Sequence, residues 1–317
     1  MANNQISLIG LGPVAASMGL ALKSAKPDLL LVGTDRDRAL AANMLKLGAV
    51  DRLERTPPAA CREAGLVIVA EPLDDMAAIF QDIAGSLLPG SVVTDIAPLK
   101  ADVMRWAEQH LPEHVCFVGG HPLIMAKVNE PPNPKLFSGV HYSLVTDSST
   151  ETQGVEVVTG LVELLGAQPY FLGAAEHDGL MAAVEELPQL LQLALLAVVS
   201  EAGSWRDNRR AASRPFINAT ANLGDDAALL VYTHRLNRSS LAQWVDLYQA
   251  ALERLKMALK ADDETAFQET VGELYETYHK WLHERQPGVW DSSPPPVKVD
   301  RGNLLSQLLW PGRASRR

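Results

Sequence analysis

The sequence predicts an α/β protein: an N-terminal doubly wound parallel sheet of the Rossmann kind, followed by an all-helical domain. Three observations carry this. Short apolar runs alternate with helical patterns from the start to about Gly173. The first run ends in a glycine turn, Gly10-Leu11-Gly12. After Gly173 the strand signals stop.

Ile6–Ile9 has strand character, and Ala15–Ser24 is helical in pattern. Between them, Gly10, Gly12 and Ala15 fill the three small positions of a G-x-G-x-x-G/A fingerprint. The first glycine permits the tight turn, and the second lets a pyrophosphate approach the backbone. The third small residue lets the helix pack on the strand. Pro13, Val14 and Ala15 then lie against the anion, where the free N–H groups and dipole of a helix start bind it.

A second strand, Leu29–Thr34, ends in Asp35, a little over twenty residues past the fingerprint. An acid there accepts hydrogen bonds from the adenosine ribose hydroxyls and repels a 2′-phosphate, so NAD is expected over NADP. Arg36 beside it is placed to stack on adenine or to soften that preference, which keeps NADP possible.

Further strands are expected at Leu66–Ala70, Val92–Ile96, Val115–Val118, Tyr142–Thr146 and Pro169–Leu172. Helices are expected at Asp37–Leu47, Asp75–Ser86, Lys100–Gln109 and Thr152–Leu165. Ligands of such sheets bind beyond the carboxyl ends of the strands. Those ends carry Gly10, Asp35, Glu71-Pro72, Ala97-Pro98 and Gly120-His121-Pro122. Glu71, Pro72 and Ala97 are therefore expected to line the cofactor.

Beyond Gly173, Glu176–Glu201 reads as one long helix, too apolar for a surface helix and suited to a buried core. Its excess of apolar residues over Leu187–Val199 also suits a dimer interface. Leu241–Leu259 and Thr265–Glu284 are amphipathic, and Ser213–Leu236 reads as irregular, with Pro215 and Gly224. The expected divisions are 1–173, a helical domain over 174–285, and a flexible arm over 286–317 containing Pro294-Pro295-Pro296.

A formal net charge of -10 argues against nucleic acid or an anionic membrane as the main partner. Hydrophobic residues make up 47% of the chain and charged ones 21%, as in ordinary globular proteins. Cys61 and Cys116 form no C-x-x-C pair, so neither a disulfide framework nor a metal site is indicated. No basic segment precedes the first apolar run, and Leu187–Val199, with Pro188 and two glutamines, is short for a membrane span. A cytoplasmic location is expected.

Longer motifs now point to a family. ISLIGLGPVAASMGLALK, LVIVAEP, VVTDIAPLK, FVGGHPL, LFSGVHYSLVTD and HDGLMAAVEELPQLLQLAL lie in order over roughly Ile6 to Leu282. With these segments the chain resembles the prephenate/arogenate dehydrogenases of tyrosine biosynthesis. The resemblance implies a Rossmann domain joined to a helical dimerising domain. It implies NAD- or NADP-dependent oxidative decarboxylation of prephenate or arogenate. It gives His121 the role of polarising or deprotonating the ring hydroxyl as hydride leaves. From the residues alone, His121 is equally a histidine capping its loop with Pro122.

Departures from the family pattern fall in the substrate half. Pro98 stands where the family has a serine in its G-S-x-K segment. Glu185-Glu186-Leu187-Pro188-Gln189 replaces S-H-L-P-H, and the family's R-D-x-T-R-I-A segment aligns with Pro215–Ala221, where the arginine that grips a substrate carboxylate is missing. Arg214, Arg209 or Arg210 is near enough in sequence to substitute. Pro98, Lys100, Glu186, Gln189 and Arg214 are thus the candidate substrate contacts. Lys100 reads equally as a solvated charge, Asp178 as an acid at a helix start, and Glu185 and Glu186 as surface residues. If Glu186 instead faces the site, its charge disfavours a dicarboxylate and favours a zwitterion such as arogenate. The rival readings are a related dehydrogenase of another small substrate, and a nucleotide-binding paralogue with impaired catalysis.

Overall fold

The computed structural model describes residues 4–124, 130–147, 150–221, 223–224, 226–261 and 264–284. The expected arm over 286–317 lies outside these residues. The chain divides into two compact units; the first runs to His177, and the second spans Asp178–Ser292. The division falls a few residues beyond Gly173, inside a helix.

In the first unit the order is β1 (Gln5–Ile9), α1 (Pro13–Ala25), β2 (Leu30–Thr34), α2 (Arg38–Leu47), β3 (Arg52–Leu53) and α3 (Pro57–Cys61). Then come β4 (Ala64–Val69), α4 (Met76–Ile83), β5 (Val92–Asp95), α5 (Ala101–His110), β6 (Cys116–Pro122), β7 (His141–Val145), α6 (Thr152–Leu164) and β8 (Gln168–Leu172). Among the described residues these eight strands form one sheet, ordered β3-β2-β1-β4-β5-β6-β7-β8. Ile6, Leu8, Ile9, Val67 and Ile68 are buried, because helices cover both faces of the sheet.

The sheet is not wholly parallel, as the sequence suggested. β6 pairs antiparallel with β7, with His121 opposite Ser143. A parallel joint needs a long crossover, usually helical, and the described part of the β6–β7 connection contains turns and no helix. The two-residue β3 is too short and too polar to read from sequence. β6 also runs four residues past the expected Val118, which draws Gly119, Gly120 and His121 into the sheet.

The second unit is helical. α7 (Ala174–Met181) begins in the first unit, passes through a single π turn at Ala182–Glu186, and continues as α8 (Leu187–Glu201). Pro188 explains the π turn. Its ring cannot sit against the carbonyl four residues back, and the Leu187 N–H bonds instead to Ala182, five back. Together these segments form one 28-residue helix that by length and composition alone could cross a membrane, where Leu187–Val199 by itself looked too short. It carries Glu176, Asp178, Glu185, Glu186 and Glu201.

α9 (Trp205–Ala211), α10 (Arg214–Thr220), α11 (Ala227–Leu236), α12 (Arg238–Lys260) and α13 (Glu264–Glu284) follow. The segment read as irregular is largely helical. Pro215 sits in the first turn of α10, where its missing N–H costs nothing, and Asp226 caps α11 by accepting from the Ala228 and Leu229 N–H groups. α8 was expected to be core, yet no residue of it is buried within the chain. Val198, Leu247, Leu252 and Tyr275 are among many large apolar side chains this unit leaves exposed.

Candidate active site

The glycine turn closes the end of β1. Gly10 has φ +87°, and a Cβ there would lie 2.7 Å from the Ala70 carbonyl oxygen, so a side chain would separate the ends of β1 and β4. Gly12 caps α1 without a side chain, no acid occupies the first turn, and nothing lies within 4 Å of where its Cβ would be. The Val14 and Ala15 amides have no acceptor within the helix, and Pro13 lacks an N–H. This open, positively polarised cradle fits a pyrophosphate. Asp35 braces the turn: Oδ2 accepts the Leu11 N–H at 2.7 Å and Oδ1 the Asp37 N–H at 2.7 Å. Each oxygen keeps a lone pair for a ribose hydroxyl.

Arg36, next along, reaches acids that follow β4. Its Nη2 lies 2.5 Å from Asp75 Oδ2 and 3.5 Å from Glu71 Oε2. Burial pushes the Glu71 carboxyl above its ordinary range, while Arg36 opposes the shift. Pro72 is exposed.

The ends of β5 and β6 are joined by a buried charge pair. Asp95 Oδ2 accepts from the Lys100 ammonium and from the Ala97 N–H at 2.8 Å, and Oδ1 accepts from the Gly120 N–H at 2.9 Å. Lys100 also donates to the Gly120 carbonyl at 2.7 Å. Both side chains are fully buried, so the solvated reading of Lys100 is wrong. At Gly120 a Cβ would stand 2.5 Å from the Asp95 carbonyl oxygen, and only glycine lets β6 come this close. Ala97 is buried and Pro98 half-buried beside this pair.

His121 follows Gly120 directly. It is a buried strand residue, not a loop cap, and its Nδ1 lies 3.1 Å from Nε2 of His177. Burial holds its pKa well below the ordinary histidine value, and the Lys100 charge and His177 add to the shift. His121 is therefore a neutral imidazole at neutral pH. With Nδ1 engaged, Nε2 is the nitrogen with which it can act on a ligand. His177 was passed over in the sequence, where it looked like part of a helix start; the one signal that could have found it was its place in the family's H-D motif.

In the second unit Glu186 lies in the π turn and is buried, which corrects its surface reading. Its Oε2 accepts from Asn237 Nδ2 at 2.8 Å, and the same nitrogen donates to the Asp178 carbonyl at 2.8 Å. Among the described residues Oε1 has no partner. Burial raises the Glu186 carboxyl to about 7, against the pull of Asn237. Gln189 Oε1 lies 3.3 Å from His234 Nε2. Arg214 is exposed at the start of α10, as are Arg209 and Arg210 in α9.

Family models match most of the chain. Residues 18–171 match the nucleotide-binding domain of prephenate dehydrogenase, and residues 173–273 match its dimerization domain. The first match starts inside α1, so the glycine turn stands on its own geometry. Prephenate dehydrogenase of Bacillus subtilis is 29% identical over 194 residues, 60% of this chain. The chain spans about half of that protein's length, 52%. Cyclohexadienyl dehydrogenase of Zymomonas mobilis is 29% identical over 279 residues, covering 81% of this chain and 89% of that protein. Prephenate dehydrogenase from Aquifex aeolicus, solved with hydroxyphenyl propionate and NAD+, shares the fold. Its TM-score is 0.79 at 19% identity, with 89% of this chain and 99% of that one covered.

Proposed function

The chain belongs to the prephenate dehydrogenase family, and from this we propose that it carries out NAD-dependent oxidative decarboxylation of prephenate or arogenate in tyrosine biosynthesis. The observation that carries the reading is His121, a buried neutral imidazole adjoining the fully buried Asp95–Lys100 pair. A bound NAD supplies the hydride acceptor. Gly10, Gly12, Val14 and Ala15 would hold its pyrophosphate and Asp35 its ribose diol, with Glu71, Pro72 and Ala97 at the neighbouring strand ends.

His121 Nε2 takes the proton of the ring hydroxyl as hydride leaves the same carbon. The bond to the ring carboxylate then breaks and CO2 departs. Its electron pair enters the ring, which aromatises, and the oxygen regains a proton from His121. Lys100 is a positioning residue in this scheme: it donates to Asp95 and to the Gly120 carbonyl, and its charge adds to the burial that keeps His121 unprotonated.

Between the two substrates, Glu186 favours arogenate. It occupies the position of a family histidine, and its Oε1, unpartnered among the described residues, suits an ammonium better than a second carboxylate. Pro98, Gln189 and Arg214 are the remaining substrate-side candidates. The protein is read as a cytoplasmic homodimer. The dimerization-domain match and the exposed apolar side chains of the helical unit support the dimer, and the free Cys61 and Cys116 suit a reducing compartment.

The test is turnover of prephenate and of arogenate by the purified chain with NAD, followed as NADH absorbance. Activity on either, with arogenate preferred, is expected; activity on neither would refute the assignment.

A further inference from the structure

Asp35 and Arg36 send opposite signals at the end of β2. A carboxylate there suits a free ribose diol, and an arginine there suits a 2′-phosphate. The tertiary structure decides between them. β2 and β4 both flank β1, so the segments that follow them face each other across the glycine turn. Arg36 spans that gap to Asp75 at 2.5 Å and Glu71 at 3.5 Å.

Asp75 ends a short 3-10 turn, Leu73–Asp75, that runs directly into α4, and its own backbone is already helical. It makes no side-chain bond to the helix start, and its carboxylate is turned to Arg36. The pair is strong enough to raise the Arg36 pKa, first through the hydrogen bond to Asp75 and then through its charge. Glu71 and Asp75 contact the guanidinium and the Asp35 charge also acts on it, so the four groups together carry a formal charge of -2. A 2′-phosphate arriving here meets like charge and an arginine whose Nη2 is already engaged by carboxylates.

We propose that Asp75 is a cofactor-specificity residue: by holding Arg36 it denies a 2′-phosphate its cationic partner and reserves the site for a dinucleotide with a free ribose diol. The proposal rests on the dinucleotide reading above, but not on any particular substrate. Because Asp35 still repels phosphate, releasing Arg36 narrows the preference and does not invert it.

The test is binding, not turnover. The full chain is titrated separately with NADH and NADPH, read by the fluorescence of the reduced nicotinamide. Wild type is expected to favour NADH. Asp75→Asn is expected to tighten NADPH by about 10-fold and leave NADH within about 2-fold, since one opposing charge is removed and one cation released. Asp75→Ala, a strong helix former at a position whose backbone is already helical, should do the same and controls for damage to the helix. Arg36→Ala combined with Asp75→Asn should erase the gain. An unchanged NADPH to NADH ratio in both Asp75 variants overturns the proposal. So does a gain that survives without Arg36, or a wild type that prefers NADPH. A wild type that binds NADH but oxidises neither prephenate nor arogenate overturns the proposed activity alone. Binding of neither dinucleotide overturns both.

Discussion

His121 Nδ1 and His177 Nε2 lie 3.1 Å apart, brought together from β6 and α7 across 56 residues of sequence. One of these nitrogens must donate and the other accept, so the contact couples the tautomers of the two rings. When His121 donates from Nδ1, its Nε2 carries the free lone pair that a base requires.

His177 therefore acts through His121. His177→Phe should lower kcat by about 10-fold and leave NADH binding unchanged, while His177→Gln, which can still accept at a similar reach, should recover part of the loss. Steady-state kinetics beside a nucleotide titration checks this. Equal losses in the two variants would point to packing, not orientation.

His121→Asn should cut turnover by about 10² or more while NADH affinity holds. A loop residue would have been replaceable at little cost. Inside β6 and buried, His121 should be harder to replace, with a stability loss of about 1–2 kcal/mol in urea melts. Unchanged kcat in a folded His121→Asn protein would remove the histidine from the mechanism.

The pH dependence follows from the same residue. The His121 pKa lies well below 6.5, so the base form persists and the acid limb of kcat should fall well below pH 6.5. Removing the neighbouring positive charge with Lys100→Met lifts that pKa and moves the limb to higher pH. The unfolded chain binds a proton at this position that the folded one excludes, so stability declines as pH falls from 6.5 towards the lower folded pKa of His121. A limb that stays in place in Lys100→Met would show that the Lys100 charge does not reach the ring.

Breaking the Asp95–Lys100 pair from either side should cost about 3–5 kcal/mol, because each change strands a buried charge. The double change Asp95→Leu with Lys100→Met should cost less than the sum of the single ones. Denaturation of all four proteins closes the cycle. Strict additivity would mean the two groups do not stabilise each other.

Glu186 has the opposite sign. Its folded pKa of about 7 lies above its ordinary value, so the folded chain holds an extra proton and stability declines from roughly pH 4.5 to 7. Glu186→Gln should gain on the order of 1 kcal/mol at pH 8 and little at pH 5, measured by thermal melts. In the same variant the preference for arogenate over prephenate should narrow, which separates a role in specificity from one in stability alone.

How much of this was legible in the sequence depends on the range of the interaction. The glycine turn, the acid ending β2 and the apolar strands are local patterns, since backbone sterics and side-chain periodicity set them within a few residues. They were enough to specify the Rossmann domain, the helical domain after it, and Gly10, Gly12, Asp35 and His121 as residues to weigh. What tertiary structure alone decided were the pairings across strands. Lys100 looks like a surface charge until β6 closes over it, His177 like a helix start until β6 delivers His121, and Asp75 like the first residue of a helix until Arg36 reaches it from β2. The exposed face of α8 looked like core for the complementary reason: an apolar pattern reports that a surface must be buried, not whether the same chain or a second copy buries it. Each of those outcomes depends on desolvation and charge pairing between segments distant in sequence, and only the folded chain brings those segments together.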